Sequence, residues 1–179
     1  EFIAEVLAKM GLKVELQEVE EDRFNVLGVL KGSEKGRSLM FNGHLDTSFT
    51  GEDVYDGGPY SNLIGPGYQT EARIVDDQWI YGMGIFNMKG GLAASIAAVD
   101  ALQQAKTPLK GDVLIAGVAG EIEKAPSGRY QGKQYRGYGR GVGYLVTHGG
   151  TADMCILAEP TGFRLALGHF GTAWVKISL

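Results

Sequence analysis

His44, Asp46, Asn87, Glu121 and Glu159 are the residues of this chain whose types and spacing could do chemistry together. His44 follows the apolar run Leu39-Met40-Phe41 and the pair Asn42-Gly43, and one apolar residue separates it from Asp46. A histidine at the end of a buried strand is placed to ligate a metal. A carboxylate two residues on can hold the tautomer that leaves the other ring nitrogen free. Asn87 follows Trp79-Ile80-Tyr81 and the turn Gly82-Met83-Gly84, Glu121 and Glu123 follow the run Val113 to Val118, and Glu159 follows Met154 to Ala158. One nitrogen and several oxygens on one rim make a hard site that suits zinc, cobalt or manganese. A carboxylate left uncommitted there can deprotonate a metal-bound water.

These residues need strand ends to present them. Phe2, Ile3, Val6, Leu7 and Met10 share a helical face that stops at Gly11. Leu12 to Val19 alternates as a half-buried strand, and Phe24 to Leu30 reads as a second strand. A turn over Gly32 to Gly36 leads to a third, about Ser38 to Asn42. Ser48 to Gly67 reads as a long polar loop, of a length that is usually functional or mobile. After the short strand Trp79 to Tyr81, a helix from about Met88 to Gln104 carries Leu92, Ile96 and Val99 on its apolar face. Gly111 to Val118 and Met154 to Ala158 read as buried strands, with an irregular stretch and a short helix near Val142 to His148 between them. Further strands are expected near Phe163 to Leu167 and Ala173 to Leu179. Alternating strands and helices give an α/β fold, with a mixed central sheet flanked by helices on both faces. In such sheets ligands collect beyond the carboxyl ends of the strands, where all five residues lie.

Composition narrows the functional classes. The chain has 179 residues, 44% of them hydrophobic, which is enough for one domain with a real core. A net charge of −4 gives no electrostatic footprint for nucleic acid. The tyrosine, arginine and glycine run Tyr130 to Tyr144 resembles an RNA-stacking segment only out of context. The lone Cys155 excludes an intrachain disulfide framework and a cysteine zinc cluster, and its apolar neighbours suggest an inert core thiol. No apolar stretch approaches the length of a membrane span, no signal peptide is visible, and a cytoplasmic protein without a membrane partner is expected. Both ends look cut, within a helix at the start and within a strand at the finish.

Four segments in order resemble the motif series of one metallopeptidase and amidohydrolase family. They are Gly43-His44-Leu45-Asp46-Thr47, Tyr81-Gly82-Met83-Gly84-Ile85-Phe86-Asn87-Met88-Lys89-Gly90-Gly91, Ala119-Gly120-Glu121 and Ala158-Glu159-Pro160-Thr161. Acetylornithine deacetylase, succinyl-diaminopimelate desuccinylase, aminoacylase and bacterial glutamate carboxypeptidase belong to that family. The resemblance implies a zinc-exopeptidase-like catalytic domain over residues 1–170. Residues 171–179 would begin a lid or dimerisation domain, through which the family forms homodimers. It implies that His44 and Glu159 ligate the first metal and that Asp46 orients His44. Glu121 would be the general base, taking a proton from metal-bound water and passing it to the leaving amine. Asn87 stands where the family has an aspartate bridging two metals, and Ile122 where it has a glutamate on the second. The implied substrate is an N-acyl amino acid or small peptide.

The two departures favour one tightly bound metal, or none, over a pair. An asparagine carbonyl ligates but carries no charge, and Ile122 cannot ligate. Glu123 could substitute only with a one-residue shift, since successive side chains of an extended segment face opposite ways. Met83 stands where the family has an arginine in its Gly-Arg-Gly turn, whose role is taken as structural. Asn87 reads equally well as the N-cap of its helix. Lys89 reads as a solvated or packing residue, His148 as a surface residue at a helix end and His169 as structural. Two hypotheses from different classes stand at this point. The first is a metal-dependent amidohydrolase or exopeptidase. The second is a degenerate relative that keeps the fold for binding or assembly.

Overall fold

The computed structural model describes residues 1–47, 72–122 and 137–169. Helix α1 spans Phe2–Lys9, followed by strands β1 (Lys13–Glu20), β2 (Arg23–Leu30) and β3 (Leu39–His44). A hairpin of β4 (Arg73–Val75) and β5 (Trp79–Tyr81) comes next, then α2 (Gly90–Gln104) and β6 (Val113–Val118). Helix α3 (Arg140–Thr147) and β7 (Met154–Leu157) complete the described elements.

The five main strands form one sheet in the order β1-β2-β6-β3-β7, and β4-β5 stands apart. β1 pairs antiparallel with β2, and β2 antiparallel with β6, while β3 runs parallel to both β6 and β7. The sheet is therefore mixed, as the sequence implied. Every residue of β6 is buried, which fits a central strand covered on both faces. Its side chains alternate between two cores with the period of a strand. Val113 and Ile115 join Leu7, Leu12, Val26, Leu92 and Val99 beneath α1 and α2. Leu114, Ala116 and Val118 join Leu27, Met40 and Leu145 beneath α3.

Some sequence expectations change. The segment Ile85–Gln104 is long and apolar enough by composition to cross a bilayer, contrary to the reading of the bare sequence. Leu92 and Val99 are buried in the sheet core, so α2 packs one face against the sheet. Cys155 is exposed rather than a core thiol, because β7 is an edge strand among the described residues and all four of its residues are exposed. What desolvation the sheet supplies pushes the Cys155 thiol pKa up. Phe163 to Leu167 forms no strand: Phe163, Leu165 and Leu167 are exposed in irregular backbone and pair with no strand among the described residues. The loop from Ser48 to Gly67, Glu123, residues 130–136 of the tyrosine-rich run and the strand expected at Ala173 to Leu179 lie outside the described residues.

Candidate active site

The parallel strands bring their carboxyl ends together. His44 pairs in register with Val118, and Asn42 with Leu157, so the exits of β3, β6 and β7 lie side by side. His44 closes β3 and is almost fully buried. Gly43 leaves the space that Met88 fills, and Met88 accepts the His44 N–H through its sulfur at 3.2 Å. Both residues stand in the motif segments, but the sequence assigned neither a role, because a glycine and a methionine carry no chemical signature of their own.

Asn87 sits in a wide turn over Ile85–Lys89, where it and Met88 leave helical angles. The turn begins at Gly84, whose φ of +76° favours glycine. Helix α2 starts only at Gly90. Its cap residue is Lys89, with no side-chain cap bond, so Asn87 does not cap it. The Asn87 side-chain oxygen instead lies 2.7 Å from His44 Nε2. Gly91 then passes the exit of β7 so closely that a Cβ would strike the Ala158 carbonyl oxygen. That contact sets α2 against the residue preceding Glu159.

Around His44 Nε2 gather Asn87 Oδ1 at 2.7 Å, Glu159 Oε1 at 3.4 Å and Glu121 Oε2 at 3.7 Å. The ligating atoms of His44, Glu121 and Glu159 all lie within 4.8 Å of one another. Asp46 contributes in two ways. Its main-chain carbonyl lies 2.8 Å from His44 Nδ1, while its carboxylate is 3.8 Å away. A carbonyl only accepts, so Nδ1 carries a hydrogen, and in the neutral imidazole Nε2 then turns a lone pair toward the three oxygens. The Asp46 carboxylate accepts the main-chain N–H groups of Glu121 at 3.2 Å and Ile122 at 2.9 Å. The orienting contact on the imidazole thus comes from the Asp46 backbone, because its carboxylate is engaged across the sheet with the segment carrying Glu121.

Lone pairs facing lone pairs at these distances call for a cation between them, a metal or a proton. One imidazole nitrogen with oxygen donors is a fitting set for a divalent transition metal. Ile122 offers only hydrocarbon. Lys89 lies in the same turn; desolvation pulls its ammonium pKa down, and the nearby Asp46 carboxylate opposes that shift. His148, by contrast, is exposed at the C-terminus of α3, stacked on Tyr144 and bonded through Nδ1 to the Tyr144 carbonyl. His169 is exposed in irregular backbone.

The model of peptidase family M20/M25/M40 matches residues 40–166, a stretch that holds all five of these side chains. The chain belongs to that family. It is 29% identical over 181 residues to N-formyl-4-amino-5-aminomethyl-2-methylpyrimidine deformylase of Halalkalibacterium halodurans, covering 99% of this chain and 36% of that protein. It is 25% identical over 177 residues to a probable succinyl-diaminopimelate desuccinylase of Staphylococcus aureus, covering 99% of this chain and 38% of that one. The fold matches an M20 family metallo-carboxypeptidase of Sulfolobus solfataricus with a TM-score of 0.59, at 21% identity, over 88% of this chain and 31% of that chain. The M20 chain described here therefore spans less than two fifths of the length of these curated relatives.

Proposed function

We propose that this chain carries the metal site and proton shuttle of a hydrolase that cleaves an amide next to a free carboxylate. The substrate class is an N-acyl amino acid or small peptide. The observation that carries the proposal is the gathering of Asn87, Glu121 and Glu159 oxygens around Nε2 of His44, at the joined ends of three parallel strands. The relatives named above are a deformylase and a desuccinylase, and amide hydrolysis is the reaction class those names share.

His44, Glu159 and Asn87 would hold the metal, with zinc the favoured ion and cobalt or manganese compatible. When bound, such an ion polarises a carbonyl and acidifies water. The Asp46 carbonyl fixes the His44 tautomer, and the Asp46 carboxylate fixes the backbone beneath Glu121. Glu121 would take a proton from the attacking water and return it to the leaving amine. Two features support that division of labour. Glu121 makes the longest of the three contacts to Nε2, and its side chain is 48% exposed against 27% for Glu159, leaving it reach toward a substrate.

Asn87 and Ile122 favour one metal over two. Residues 1–170 would form the incomplete catalytic domain and 171–179 the start of a lid or dimerisation domain. A cytoplasmic homodimer would complete the protein. The experiment is hydrolysis of an N-acyl amino acid panel by the full-length protein and its Glu121→Gln variant. Activity lost with metal content intact supports the assignment, and wild-type rates in the variant refute it. The neutral Asn87 and apolar Ile122 also favour a second reading, a relative that no longer catalyses. It requires that no metal binds stoichiometrically after zinc loading.

A further inference from the structure

Asn25 lies on β2, remote in sequence from every residue of the site, and is fully buried. Its amide is bonded at both ends to main chain. Oδ1 accepts the Ala119 N–H at 3.0 Å, and Nδ2 donates to the Gly141 carbonyl at 2.8 Å, with a longer contact to Gln17 Oε1 at 3.4 Å. Ala119 is the first residue past β6, and Gly141 lies in the first turn of α3.

The same two stretches are bonded directly. Gly141 N–H donates to the Ala119 carbonyl at 2.8 Å, and Arg140 N–H to the Gly120 carbonyl at 3.1 Å. A Cβ on Gly141 would strike the Ala119 carbonyl oxygen and crowd Asn25 Oδ1, so the approach of helix to turn is as close as glycine permits. From Ala119 the chain turns at Gly120, with φ of +71°, into Glu121 and Ile122, whose N–H groups end on Asp46. The turn bearing Glu121 is thus held from three sides, by Asn25, by the first turn of α3 and by Asp46. Asn25 bonds both the β6 exit and the first turn of α3 to β2, while a separate ion pair from Arg140 Nε to Glu20 at 3.3 Å ties α3 to β1.

We propose that Asn25 is a positioning residue for Glu121. It locks the exit of β6 and the first turn of α3 into one unit and so sets where the Glu121 carboxylate stands relative to His44. Its hydrogen bonds run to Gln17, Ala119 and Gly141 and, among the described residues, to none of His44, Asn87 and Glu159. The proposal rests on Glu121 being the proton shuttle. Gln17 supplies an internal control: it shares the buried polar cluster, but its other bonds run to Glu15 and the His148 carbonyl, not to the turn.

The test uses the zinc-loaded full-length protein with Asn25→Leu, the milder Asn25→Ser, and Gln17→Leu. Steady-state kinetics on an N-acyl amino acid, metal content and amide hydrogen exchange are measured on each. The Asn25 variants are expected to lose about tenfold or more in kcat with KM and metal content held. Exchange at Glu121 and Ile122 should rise about tenfold or more relative to β2 and β6, and Gln17→Leu should show neither change. Should Asn25→Leu fail to fold, Asn25→Ser is judged by the same readouts. Wild-type kcat and exchange in a folded Asn25 variant overturn the proposal, as does the same phenotype in Gln17→Leu. If Glu121→Gln keeps full activity, the shuttle assignment fails by itself. The exchange at residues 121 and 122 still decides whether Asn25 places the turn.

Discussion

His44 Nε2 lies 2.7 Å from Asn87 Oδ1, and both atoms present lone pairs when the neutral imidazole donates its Nδ1 hydrogen bond to the Asp46 carbonyl. Asn87 is therefore an acceptor aimed at a cation, and it contributes no charge. An aspartate there would add one negative charge next to the metal. Unit charges about 4 Å apart at an effective dielectric near 20 attract by roughly 4 kcal/mol, an upper figure for a partly solvated site. We expect Asn87→Asp to tighten zinc binding by about tenfold or more, and Asn87→Asp with Ile122→Glu to bind a second zinc. Isothermal titration reads both. A double variant that gains no metal would remove the case for a site on this rim.

Asp46→Asn separates the two duties of that residue. The main-chain carbonyl still orients His44, but an amide can accept only one of the N–H groups of Glu121 and Ile122. The lost bond should cost about 1 kcal/mol of stability and misplace Glu121. We expect kcat to fall about 10- to 100-fold while zinc content stays at the wild-type level. An equal loss of metal would show instead that the carboxylate acts chiefly on His44.

Gly91→Ala tests the contact between α2 and the exit of β7. The added methyl would meet the Ala158 carbonyl oxygen, backbone that cannot swing aside as a side chain can. Overpacking of this kind costs about 1–3 kcal/mol, and relief by moving Ala158 would also move Glu159. A lowered Tm together with weaker zinc binding is the expected pair of results. Unchanged zinc affinity would uncouple Glu159 from the helix.

The elements were largely legible in the sequence because their periodicities are strong. The alternating Leu12 to Val19, the apolar Val113 to Val118 and the alanine-rich stretch ending at Gln104 all lie where pattern places them. The order of strands is not carried by any local pattern. Nothing in Met154 to Leu157 says that it forms an edge, and Cys155 was misread for that reason. Phe163 to Leu167 carries the apolar content of a strand, but pattern does not supply a pairing partner. Within the site, residue types made His44, Glu121 and Glu159 candidates, and the structure brings their ligating atoms within 4.8 Å of one another. The division of Asp46 between carbonyl and carboxylate, the sulfur of Met88 under His44 and the buried amide of Asn25 depend on contacts across the sheet. Asn25 in particular reads as an ordinary polar interruption of a strand.

Acid stability offers a check on the outer frame of the sheet. Asp112 bonds Lys31 Nζ at 2.7 Å and the Gly32 N–H at 3.0 Å, and these contacts hold its pKa below the usual carboxylate value. Asp153 accepts the Ser38 N–H at 2.7 Å and hydroxyl at 2.8 Å, with the same direction of shift. A pKa depressed in the folded state gives stability that is present above the unfolded value, about 3.9, and is lost as pH falls through the folded one. Asp112→Asn with Asp153→Asn should therefore lower the urea midpoint at pH 7 and flatten its decline below about pH 4. A decline as steep as in the wild type would place the acid-sensitive groups elsewhere.

The most direct measurement is elemental analysis of the full-length protein after mild zinc loading and dialysis, beside its His44→Ala variant. One zinc per chain in the wild type and none in the variant is the expected result. No zinc in either protein would contradict the metal site, leaving His44, Asn87 and Glu159 as residues of a fold kept for another purpose.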